Sequence, residues 1–159
     1  MKGLIYGMVG EWSGHYMNEI LVYSDGSGNT FDSDGGYGAA ILVNGVKVKE
    51  VSGYLPKATN NTAELTAAIQ GLKYADAYIS AAKLKEYEVI LISDSQLVLN
   101  YATGAWKCKA IHLGALRIEL AKIYNKLKTT GKWVKGHSGD EYNELCDKLA
   151  GEARKGKGK

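Results

Sequence analysis

The chain has 159 residues, 45% of them hydrophobic and 23% charged, and a formal net charge of +3. That length buries a core without metal or disulfide staples, and the composition excludes a disordered or fibrous chain. Two isolated cysteines, Cys108 and Cys146, exclude a disulfide framework, and no apolar stretch approaches the roughly 20 residues that cross a bilayer.

Residues 1–19 open with MKGLIYGMVGEW, a short apolar run that glycines interrupt and no small-residue cleavage site follows. They read as an extension rather than a secretory signal, with Leu4-Ile5-Tyr6 a candidate extra strand, and the cytoplasm is the expected location. Ile20-Leu21-Val22-Tyr23, closed by Asp25-Gly26, predicts a buried strand ending in a turn. Tyr37 to Val43 predicts a second strand. Asn44-Gly45 is the strongest short hairpin signal, and Val46-Lys47-Val48-Lys49 alternates as a strand with one wet face, its lysines protecting an edge. These three form an antiparallel meander.

Leu65, Ala68, Ile69, Leu72 and Ala75 recur at helical spacing and predict a long helix from about Thr62 to Tyr78. Glu64 falls in its first turn, beside the apolar stripe. Val89 to Ile92 is apolar on both faces, as a covered central strand is. Ser93-Asp94-Ser95 ends it, and a short helix from about Gln96 to Tyr101 follows. Leu113, Leu116, Leu120, Ile123 and Leu127 mark another amphipathic helix. Lys132 to Lys135 predicts a last strand, which puts Trp133 in the core, and Asp140 to Ala153 predicts a last helix. The expected fold is α/β, one domain over residues 20–153: a mixed five-stranded sheet, first three strands antiparallel, the remainder parallel, with helices on both faces.

Residues 154–159, RKGKGK, carry four positive charges, so the rest of the chain has a net charge of 3 − 4 = −1. They read as a disordered basic tail. Between Lys107 and Lys135, eight lysines and arginines face only Glu119. That asymmetry suits a polyanion, although a solvated helix face reads the same way.

Four carboxylates stand at informative places. Asp25 follows the first strand and Asp94 the central one, and ligand sites of α/β sheets gather beyond the carboxyl ends of strands. Glu64 and Asp147 lie on helices. Clustered oxygen ligands without cysteine or paired histidine fit a hard cation such as Mg²⁺ or Mn²⁺. Each acid also has an innocent reading: Asp25 a turn residue, Glu64 a helix-dipole partner, Asp94 a helix cap, Asp147 surface charge.

The local words around these acids tip the balance. YSDGSG (23–28), GGYGAAI (35–41), NNTAEL (60–65), ISDSQLVLN (92–100) and WVKGHSGDEYNELCDKLA (133–150), in that order, resemble the type 1 ribonuclease H family over nearly the whole chain. The last word is the most specific. The resemblance implies an endoribonuclease that cuts the RNA strand of RNA/DNA hybrids and leaves 5′-phosphate and 3′-hydroxyl ends. It implies two divalent ions, Mg²⁺ or Mn²⁺, held by Asp25, Glu64, Asp94 and Asp147. His137 resembles the mobile-loop histidine that assists turnover. Asn60, Asn61 and Gln96 match contacts to the hybrid's backbone and minor groove, Thr59 a contact to a DNA phosphate, and Asn143 an asparagine near the active site. A monomer is expected.

Two departures stand out. The glycine-rich stretch after the first strand lacks the family's usual prolines and carries Asp32 and Asp34 instead. The stretch between Asp94 and His137 is short for the form with a protruding basic helix, so affinity falls to Lys107, Lys109 and the tail. Three rivals remain open: a hybrid-binding module that does not cut, a DNA nuclease of the same fold, and a structural domain.

Overall fold

The computed structural model describes residues 17–29 and 33–156. The candidate strand at residues 4–6, Asp32 and the last three residues of the tail lie outside them. The elements run in the order β1 (Asn18–Ser27), β2 (Gly35–Val43), β3 (Val46–Leu55), α1 (Asn60–Ala82), β4 (Tyr87–Ser93), α2 (Gln96–Thr103), a 3₁₀ turn (Ile111–Leu113), α3 (Gly114–Lys126), β5 (Thr130–Trp133) and α4 (Glu141–Gly156). They build one sheet in the order β3-β2-β1-β4-β5. β1–β2 and β2–β3 are antiparallel, and β1–β4 and β4–β5 are parallel. The expected mixed sheet is the one observed.

The main core lies between the sheet and α1. Ile20, Val22, Ile41, Val89 and Leu91 of the sheet meet Leu65, Ala68, Ile69 and Leu72 of α1, with Leu113, Leu120 and Leu127 at one side. Each fully buried leucine or isoleucine contributes roughly 1.5–3 kcal/mol relative to exposure. A smaller cluster of Ala40, Leu42 and Cys146 joins the opposite face to α4. Cys146 is therefore the packing residue its position suggests.

Several boundaries differ from the sequence expectation, each for a local reason. β1 begins at Asn18 because Asn44 reaches across to it: its Oδ1 accepts from the Glu19 backbone at 2.9 Å and its Nδ2 donates to Asn18 Oδ1 at 3.0 Å. α1 begins at Asn60 because Thr59 is its N-cap, accepting from the Thr62 backbone N–H at 3.1 Å. Glu64 is thus in the second turn, not the first. β5 is Thr130–Trp133 rather than residues 132–135, and it is exposed along its whole length. Trp133 is not in the core: it is 48% exposed, and its indole N–H donates to the Asp94 carbonyl at 3.1 Å. Residues 154–156 are not a disordered tail but the last turn of α4. The connection from Gly104 to Leu113 holds a single 3₁₀ turn and no protruding helix.

Candidate active site

The β1–β4 pairing decides where the acids meet. The parallel register ends with Ser24 opposite Ser93, so Asp25, which is still paired with Gly38 of β2 rather than in the turn expected there, and Asp94, just past β4, lie at the same end of that ladder. α1 supplies the third acid. A Cβ at Gly26 would lie 2.3 Å from the Glu64 backbone nitrogen. Only a residue without a side chain lets α1 approach the end of β1 so closely. The result is that Asp25, Glu64 and Asp94 each offer a carboxylate oxygen within 4.8 Å of the others.

Asp147, on α4, does not join that tight group. Its charge nevertheless reaches both Asp25 and Asp94 and raises the pKa of each. Four acids therefore face one region, three in close contact and the fourth flanking.

The electrostatics are those of a site short of positive charge. Asp25 is 7% exposed. Burial, then the charge of Asp94, and then Glu64 and Asp147 push its pKa up to about 8, against one hydrogen bond from the Gly26 N–H at 2.9 Å. Burial pushes Glu64 up to about 7, while hydrogen bonds from the Ser95 and Asn60 side chains oppose the shift. Asp94 is also raised, chiefly by burial, and is eased by a hydrogen bond from Asn143 and by His137. Carboxylates forced together in this way are stabilised by a cation. Three hard oxygen donors at this spacing, with no thiol or imidazole among them, fit a hard divalent cation.

The surrounding residues divide by what they touch. Asn143 is 3% exposed, and its amide holds Asp94. Asn60, exposed at the first position of α1, reaches Glu64. Asn61 and Gln96 are exposed at the starts of α1 and α2, and Thr59 caps α1. His137 is exposed on the loop before α4 in a left-handed conformation (φ 56°), with Nδ1 3.9 Å from Glu144 Oε1. That loop passes close over Asp94: a Cβ at Gly136 would lie 2.9 Å from Asp94 Oδ2.

Two contributors escaped the sequence reading. Ser95 caps α2, accepting from the Val98 N–H at 3.2 Å, while its hydroxyl supports Glu64. The innocent reading of Asp94 as the cap is thereby removed. Asp140 caps α4, accepting from the Tyr142 and Asn143 N–H groups at 3.1 and 3.0 Å. Both carry ordinary capping signals, a serine or aspartate just before a helix.

A mixed sheet with acids gathered beyond the ends of two parallel central strands defines a metal-dependent hydrolase of the ribonuclease H-like fold. Comparison with known proteins narrows this. Residues 17–155 match the RNase H family model. The chain is 39% identical over 147 residues to the ribonuclease H of Acetivibrio thermocellus, covering 84% of this chain and 93% of that protein. It is 36% identical over 148 residues to that of Caldanaerobacter subterraneus subsp. tengcongensis, covering 85% and 91%. Among solved structures, LC11-RNase H1, isolated from compost by a metagenomic approach, superposes with a TM-score of 0.74 at 29% identity, covering 88% of this chain and 98% of that one. The same enzyme in complex with an RNA/DNA hybrid gives 0.72 at 27% identity, covering 86% and 97%. The chain belongs to the ribonuclease H family and is a metal-dependent endoribonuclease.

Proposed function

We propose that this chain hydrolyses the RNA strand of RNA/DNA hybrids, leaving 5′-phosphate and 3′-hydroxyl ends, with a pair of Mg²⁺ or Mn²⁺ ions held by Asp25, Glu64, Asp94 and Asp147. The observation that carries this reading is the meeting of three carboxylates from β1, α1 and β4 within 4.8 Å. The four carboxylates would hold the ions, which when bound would supply an activated water and a stabilised leaving oxygen.

The chain's own residues do the rest. Asp25 and Asp94 sit on the rigid ends of paired strands, so their separation is set by the sheet. Hydrogen bonds from Asn143 and Ser95 favour the charged forms of Asp94 and Glu64. His137, exposed on its loop, assists turnover, by proton transfer or by helping product leave. Asn60, Asn61 and Gln96 present amides, which both donate and accept and so suit minor-groove edges and 2′-hydroxyls. Thr59 and the lysines between Lys107 and Lys135 contact phosphates, which makes binding salt-sensitive. Such a protein acts as a monomer. Both described cysteines are free thiols, in keeping with a reducing cytoplasm.

The test is cleavage of labelled hybrid, duplex DNA and duplex RNA, with Mg²⁺ and with chelator. Only the hybrid should be cut, on its RNA strand and only with the metal. Cutting of duplex DNA, or tight hybrid binding without cleavage, would transfer the chain to one of the rival readings. Asp94→Asn should abolish cleavage while the melting temperature holds or rises, because the change removes a metal ligand and relieves carboxylate repulsion.

A further inference from the structure

Arg154 lies past the end of the domain expected from the sequence, yet it is one of the residues that close the structure. Its Nη1 donates to Ser27 Oγ at 3.2 Å. With the Asn29 amide turned so that its oxygen faces the guanidinium, Nη2 donates to Asn29 at 2.9 Å, and the Asn29 nitrogen donates to the Gly28 carbonyl at 3.1 Å. Asn29 in turn bridges to Thr59, the cap of α1. Nothing in the reaction described above uses this arginine.

Its place follows from two periodicities. Ser27 is two residues after Asp25 on β1, and side chains two apart share a strand face. Arg154 is seven residues after Asp147 on α4, two turns on and along the same stripe of the helix. The strand end and the helix therefore face each other at two levels. Arg154 bonds Ser27 directly. Asp147, two turns back on the same stripe, lies on the side of Asp25, two residues back on the strand, and both are acids of like charge. The approach is tight: Gly36 stands opposite Ser27 in the sheet, and a Cβ there would lie 2.3 Å from the Ala150 carbonyl oxygen and 2.6 Å from the Arg154 nitrogen.

We propose that Arg154 is a positioning residue whose guanidinium fastens the end of β1 to α4 and so holds Asp25 and Asp147 together against their repulsion. The inference rests on these acids holding divalent ions, as proposed above. Arg154 touches neither ion nor scissile phosphate. It presets the separation of two ligands that come from different layers of the fold.

Mn²⁺ titrated calorimetrically into the full chain, without nucleic acid, tests it. Arg154→Met should weaken Mn²⁺ binding by a few-fold, less than the roughly tenfold or more that losing a direct outer partner of a metal ligand costs. Arg154→Lys, which keeps one donor, should recover part of that loss. Ser27→Ala, a mild change at the other end of the contact, should weaken binding in the same direction, and the double variant should lose no more than Arg154→Met alone. Circular dichroism confirms that each variant is folded. Unchanged Mn²⁺ affinity in folded Arg154→Met overturns the proposal, and so do additive losses in the double variant. If Arg154 were instead a phosphate contact, the variant would bind Mn²⁺ normally and the salt slope of hybrid binding would fall by about one. A wild-type chain that neither binds Mn²⁺ nor cuts hybrid would fail the functional reading itself, a result visible before any variant is made.

Discussion

Asp94 shows how much of the chemistry depends on residues that carry no charge. Asn143 donates to its carboxylate, Trp133 donates to its carbonyl, and the chain at Gly136 passes over it. Gly136, which carries no functional group, is a position where a small change has a large expected effect. An added methyl 2.9 Å from Asp94 Oδ2 forces either the carboxylate or the loop to give way. Gly136→Ala should therefore lower kcat by roughly ten- to a hundredfold, the range for disturbing an outer partner of a metal ligand, with little change in melting temperature because the loop is exposed. A variant of normal kcat would mean that the loop moves aside freely and that Asp94 does not depend on it.

Among the elements, α2 is the clearest case of one residue serving structure and site together. Ser95 caps the helix and supports Glu64. Ser95→Ala should cost about 1 kcal/mol of stability, as cap losses do, and should also raise the pKa of Glu64 by removing a donor to its charged form. Chemical denaturation reads the first and carboxyl NMR titration the second; an unshifted Glu64 would reduce Ser95 to a cap alone. The elements also divide by how legible they are in the sequence. The meander and the long helix are readable because burial imposes a period on each, and β4 because cover on both faces makes it a continuous apolar run. β5 buries no side chain, so hydrophobicity carries no signal there, and the sequence points to a strand two residues later, with Trp133 in a core it does not enter. The end of α4 was lost for a similar reason: the charge of Arg154 suggests a solvated tail, while its partner, Ser27, lies 127 residues away. The acids were found through the words around them. That three of them meet and Asp147 stands apart depends on register and helix approach, which no local pattern encodes.

For the molecule as a whole, gathering carboxylates makes stability depend on pH in an unusual direction. Asp25 rises from 3.8 to about 8 on folding and Glu64 from 4.5 to about 7. Between about pH 4 and pH 8 the folded chain therefore holds more protons at these sites than the unfolded chain. Linkage then requires their contribution to be fully present below the unfolded pKa values and lost as pH rises through the folded ones. Ion-free protein should melt at a lower temperature at pH 8 than at pH 5. A divalent ion binds the folded state only and takes the place of those protons, so it should raise the melting temperature more at pH 8 than at pH 5. Its binding at pH 7 should release on the order of one proton, since Asp25 is then mostly protonated. Asp25→Asn isolates the effect from the other titrating groups: it should flatten the ion-free pH dependence and stabilise the chain at pH 8 by roughly 0.5–2 kcal/mol, the usual range for a stabilising single substitution. Thermal unfolding of both proteins in chelator and in Mg²⁺, at the two pH values, checks the stabilities, and calorimetric titration of the ion in buffers of different ionisation enthalpy counts the released proton. An Asp25→Asn curve parallel to that of the wild type would show that this carboxylate is solvated and unstrained, and that the fold does not store repulsion for an ion to relieve.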